Sequence, residues 1–125
     1  MPGAIPHLLA GSAMFIIGRY YYKSYFDGDN KFKEKILLAV VCLFFSILPD
    51  FFLIIYYTTH ILPFFTFLPF HDFLHIIFSS IAILVLLILK FKVNTKREPI
   101  WIMGIWCIII HLVMDLFIQE HGALL

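Results

Sequence analysis

Charge is what this chain has least of. Lys, Arg, Asp and Glu make up 14% of its 125 residues, against about a quarter in an ordinary soluble domain. So few charged side chains cannot clothe a water-surrounded globule of this size. Net charge, only +1, says nothing about nucleic acid, but no basic cluster long enough for a nucleic-acid or polybasic lipid site appears outside the short loops, so no nucleic-acid partner is expected. Cysteine is scarce too. Cys42 and Cys107 lie inside apolar runs without CxxC or CxxH spacing, so they read as small buried hydrophobes rather than a redox pair or soft-metal site. The opening MPGAIPHLLAG lacks the basic stretch of a cleavable signal peptide, so the first apolar segment is expected to be retained. There is no convincing internal repeat and no low-complexity tail. Beyond Gly11 and Gly18 no small-xxx-small face stands out; self-association into a homo-oligomer stays open.

What the chain has is hydrocarbon. The apolar fraction is 62% and the mean hydropathy +0.98. The expected fold class is all-α: one integral membrane domain over residues 1–125, a small bundle of four transmembrane helices. The spans are placed at about residues 4–22, 36–57, 71–89 and 100–119, each near the 17–25 residues a bilayer helix needs. Leu48-Pro49-Asp50 interrupts the second. The connection from Thr58 to Pro69 is apolar but too broken by proline to count as a span. Lys23, Lys31, Lys33 and Lys35 occupy one loop, and Lys90, Lys92, Lys96 and Arg97 the other. With four spans these loops share a face, and the positive-inside rule makes it cytoplasmic, with both termini on the far side. The protein is therefore expected as a multi-pass protein of the plasma (inner) membrane, with the lipid bilayer as its first partner. Tyr20 and Trp101 fit an inner aromatic belt, Tyr56 and Tyr57 an outer one.

The few polar residues inside the spans gather at one depth. His71 and His75 are four apart, about 40° from each other on one helical face, with Asp72 beside them. His111 and Asp115 repeat the i, i+4 spacing on the fourth span. At about 1.5 Å per residue from the charged loops, His7, Asp50, His71, His75, His111 and Asp115 all fall within about 19–29 Å. Imidazoles and carboxylates in one layer suit a divalent metal, Zn first, with Mn or Fe as alternatives, better than Ca or Mg, which prefer oxygen shells. Metal candidates are those six residues; catalytic candidates are Asp50 and Asp72, as a carboxylate free to act as general base beside an ion that lowers the pKa of water toward about 7.

Plainer readings exist for each. His7 alone is an interfacial residue, and Pro49 alone a helix kink rather than an opening that lines a cavity. Asp72 either fixes a histidine tautomer or faces water. The His/Asp set could be an interhelical hydrogen-bond network without an ion. His60 and His121 are expected to be solvated. Phe64, Phe65, Phe67 and Phe70 are expected as membrane-facing packing, or as an apolar lip admitting acyl chains.

In order along the chain, His7 with Gly11, Leu48-Pro49-Asp50, His71 through His75, His111-Leu-Val-Met-Asp115 and Gly122-Ala-Leu-Leu resemble the motifs of the membrane-bound metal-dependent hydrolase family. These are small inner-membrane proteins that include a LexA-regulated hydrolase. The HxxxD element is also similar to one in the zinc-dependent phospholipase C family. The resemblance implies a membrane-embedded hydrolase acting on a lipid-borne or membrane-proximal ester or phosphoester, with one or two metal ions. Three positions depart from the family pattern: Phe52 where a second acidic residue is usual, and Asp72 and Ile76 where Arg and Ser are usual. Two further readings are a non-catalytic membrane subunit that keeps a structural His/Asp metal site, and a component of an ion or proton pathway.

Overall fold

Leucine, isoleucine and phenylalanine run through this chain with so few interruptions that its backbone can satisfy its own polar groups in hydrocarbon only as helix. A computed structural model describes residues 4–28, 31–59 and 64–120, and among them there is no strand. Helix α1 covers Ala4–Tyr21, a single turn α2 Lys23–Phe26, α3 Phe32–Ile47, α4 Phe51–Thr59, α5 Phe64–Ile88 and α6 Glu98–Glu120. A 3-10 turn, Leu48–Asp50, joins α3 to α4; a π turn, Leu89–Val93, and a 3-10 turn, Thr95–Arg97, join α5 to α6. His60, His121 and residues 122–125 lie outside the described residues.

Among the described residues, three stretches are long and apolar enough to cross a membrane: Phe32–Tyr56, Pro69–Val93 and Thr95–Phe117. Helix α1, expected as a fourth span, is not among them, since His7, Arg19 and the closing tyrosines lower its hydropathy over 18 residues. The third expected span lies within the apolar stretch that begins at Pro69, but the helix that carries it starts earlier. It begins at Phe64 rather than His71 and carries Pro69 inside it. Proline forfeits only its own bond to the carbonyl four residues back, and here that loss falls near the helix start.

Helices α3 and α6 form the central pair, α1 packs on both, and α5 packs on α6 and the 3-10 turn. The apolar core lies toward the lysine loops, where Leu38, Cys42, Ile100 and Cys107 are buried between α3 and α6. Both cysteines are free thiols, as expected. At the loop end Arg97 donates three hydrogen bonds to Glu34, two from Nε and one from Nη2, at 2.9–3.1 Å, and Tyr25 donates a fourth at 3.2 Å. Burial pushes the Tyr25 hydroxyl pKa up, and the Glu34 carboxylate pushes it further, so it stays protonated as a donor. Large apolar side chains such as Ile16, Val40, Phe73 and Leu84 face outward. A helix apolar on every side belongs in lipid or in a core, and these faces have no core to enter.

Candidate metal centre

The backbone around Pro49 sets up the polar end of the bundle. Proline has no N–H for the Phe45 carbonyl, and its ring crowds the preceding turn. The chain does not open there; it tightens into the 3-10 turn, with the Phe51 N–H bonded to the Leu48 carbonyl. This carries Asp50 inward, to 8% exposure. It also leaves the Ser46 carbonyl in the break, where His111 Nδ1 meets it at 2.6 Å. A carbonyl can only accept, so this bond assigns the His111 proton to Nδ1. When neutral, the ring then turns an Nε2 lone pair to the bundle interior.

The other histidines present the same atom. His7 comes from the first turns of α1, His71 and His75 from α5, and all four rings are buried. His75 Nε2 stands 2.9 Å from His111 Nε2. Asp115 Oδ2 is 2.9 Å from His75 Nε2 and 3.1 Å from His111 Nε2, while its Oδ1 is 3.2 Å from His7 Nε2. Asp50 Oδ1 lies 3.6–3.8 Å from the Nε2 atoms of His71, His75 and His111, and its Oδ2 is 3.5 Å from that of His7. The rings of His7 and His111 stack at 3.9 Å.

These spacings fit a shared cation. Two donors about 2.1 Å from one ion stand about 3.0 Å apart at a right angle and about 3.4 Å apart at the tetrahedral angle. Most of the short contacts here fall in or near that interval. Several Asp50 contacts are too long for hydrogen bonds, and neither ring nitrogen of the fully buried His7 makes one. A cation shared by the donors would span those gaps. Two ligand groups emerge, His7 with Asp50, His111 and Asp115, and Asp50 with His71 and His75. Asp50 belongs to both, so the centre can hold one ion or a pair sharing that carboxylate. A buried His/Asp group able to bind metal is thus present.

The chain matches no family model, no curated protein and no solved structure.

All six residues singled out as ligands converge. Asp72 does not. It is exposed, on the next helical face from His71, and lines a cavity of about 210 Å³ with His75, Ile76, Leu112, Asp115 and Leu116. Phe52, at the position of the family's second acid, is half-buried with its ring edge-on to Phe78 at 4.9 Å. Ser46 was not legible as a functional residue. Its contribution is a backbone carbonyl, and the only sequence signal was its place three residues before Pro49.

Proposed function

We propose that this chain is a four-span membrane protein, a metal-dependent hydrolase of the plasma (inner) membrane that cleaves a lipid-borne or membrane-proximal ester or phosphoester. The lysine loops face the cytoplasm and the metal centre lies near the opposite surface. His7, Asp50, His71, His75, His111 and Asp115 hold the ion, Zn in preference to Mn or Fe because imidazole and carboxylate together suit it. The observation that carries the reading is the set of four Nε2 atoms and two carboxylates from four helical segments, spaced at 2.9–3.8 Å. Histidines placed for packing alone have no reason to turn one atom type to one point. The motif resemblance to the membrane-bound metal-dependent hydrolases supports the same reading.

When bound, the ion supplies Lewis acidity, polarising a substrate carbonyl or phosphoryl oxygen and lowering the pKa of water. The residues do the rest. The Ser46 carbonyl holds His111 in its tautomer, Asp50 and Asp115 set the charge of the centre, and the buried rings keep bulk water out. Asp72, exposed at the cavity, accepts the proton of the attacking water.

Metal analysis of the purified protein tests this. Asp115→Ala and His75→Ala are each expected to lower metal content well below wild type; no metal, or content unchanged by both, overturns it. A non-catalytic subunit with a structural metal is the second reading, favoured by Phe52, whose contact with Phe78 fills the place of a second acid. Bound metal without turnover on carboxylic-ester, phosphoester and peptide panels would select it. The apolar core beneath the centre argues against an ion or proton pathway, since among the described residues Leu38, Cys42, Cys107 and Ile108 offer no relay.

A further inference from the structure

The cavity between α5 and α6 joins two environments. His75 and Asp115 belong to the metal centre, 2.9 Å apart. Ile76 and Leu116 are 65% and 60% exposed, on the outer, lipid-facing surface of the bundle. All four line one space of about 210 Å³, with Leu112 and Asp72 completing it. A ligand in it touches the centre at one end and acyl chains of the bilayer at the other. That volume lies below the 300–1,000 Å³ of pockets that enclose a whole drug-sized ligand. It has room for an ester group and its first methylenes, with the chains left outside over Ile76 and Leu116.

Charge narrows the occupant further. Every Lys and Arg of the chain lies at residues 19–35 or 90–97, in or beside the two loops. No guanidinium or ammonium side chain is available near the cavity, which presents two carboxylates, Asp72 and Asp115. With a single divalent ion held by the centre, Asp50 and Asp115 are offset and Asp72 is left uncompensated. A phosphate or phosphodiester would meet that carboxylate with no cationic side chain to offset its own charge, and like charges brought together disfavour its entry. An uncharged carboxylic ester meets no such cost.

Resting on the hydrolase reading and deepening it, we infer that the α5/α6 opening admits a neutral acyl ester, an acylglycerol in chemical class, sideways from the bilayer. In the reaction, the oxygen of one water bonds the acyl carbon and the acyl C–O bond breaks. The alcohol oxygen leaves with one proton of that water, and the other proton is released from the acid product, leaving its carboxylate. No oxidant or second substrate is needed.

Photolabelling of the full-length, metal-loaded protein in phosphatidylcholine nanodiscs tests the inference without turnover. The probes are a dialkylglycerol ether and a dialkyl phosphatidate whose phosphoester oxygen is replaced by a methylene, each with a diazirine near the head of the chain and neither hydrolysable. The neutral ether is expected to label the peptides holding Asp72–Ile76 and Leu112–Leu116 about tenfold more than the phosphatidate, which corresponds to about 1.4 kcal/mol. Excess unlabelled neutral ether should compete this labelling away. Leu116→Trp should abolish it while keeping wild-type metal content, and Asp72→Arg should raise labelling by the phosphatidate. Equal or stronger labelling by the phosphatidate, or labelling spread over the whole lipid-facing surface, overturns the inference. Cleavage of phosphoesters alongside preferred phosphatidate labelling would overturn it and leave the hydrolase reading standing. Labelling as expected, with no ester cleaved, would sustain the opening and remove the hydrolase reading.

Discussion

His111 owes its orientation to a proline on another helix. Pro49 forces the 3-10 turn, the turn leaves the Ser46 carbonyl in its break, and that carbonyl holds His111 Nδ1 at 2.6 Å. The Ser46 hydroxyl takes no part, since it donates to the Leu43 carbonyl at 2.8 Å. Ser46→Ala is therefore expected to bind metal as wild type does in equilibrium titration. Pro49→Ala restores an N–H and lets the helix reclaim its carbonyls, so it should weaken binding by about 10–100-fold, the usual cost of losing a partner that orients a ligand. Equal affinities in the two variants would show that the carbonyl does not orient the ring.

At the level of elements, the centre depends on how closely α1 approaches α3. A Cβ on Gly11 would stand 2.6 Å from Ser46 Oγ and 2.9 Å from the Cys42 carbonyl oxygen. The hydroxyl can rotate away; the carbonyl is backbone and cannot. Gly11→Ala thus has to push α1 outward, at a cost of about 1–3 kcal/mol, and His7, one turn along, withdraws with it. Thermal unfolding in detergent should show a lower Tm, and metal analysis a lower content; wild-type values for both would mean α1 is not held by this contact. At the other end, Arg97 meets Glu34 through Nε and Nη2. A double-mutant cycle with Glu34→Ala and Arg97→Ala should return a coupling of about 0.5–1 kcal/mol, because both groups remain partly open to solvent.

For the molecule as a whole, candidate ligands contributed by α1, α3/α4, α5 and α6 would make metal binding and helix association one equilibrium. An ion that binds only the assembled bundle adds about 2.7 kcal/mol of stability at a hundredfold excess over Kd. The wild-type Tm should accordingly rise with metal concentration and fall on chelation, while that of Asp115→Ala should respond to neither. A Tm indifferent to metal in both proteins would argue that the bundle assembles without it. The proposed topology has its own measurement. Single cysteines replacing Lys33 and Lys92 in a Cys42→Ala, Cys107→Ala background should react with an impermeant maleimide only from the cytoplasmic side.

Depth along a helix is legible in a sequence, because each residue advances about 1.5 Å and the lysine loops mark the starting line. That alone placed His7, Asp50, His75 and Asp115 in one layer, and composition pointed to an apolar, all-helical chain. It also set relative direction within a helix, so His71 and His75 were known to share a face. It could not set which way that face turns. Asp72 sits about 100° round from His71, and only the packing of α5 on α6 decided that the histidine enters the centre while the aspartate lines the opening. The Pro69 region shows the same division: Thr58–Pro69 read as too broken for a span, and only the folded chain shows that α5 starts at Phe64, where Pro69 costs one hydrogen bond near the helix start. Composition and spacing act through the local backbone, so sequence determines them. The rotation of each helix is settled by contacts between segments far apart in the chain, such as Gly11 on Cys42 and His111 on Ser46, and those exist only in the folded bundle.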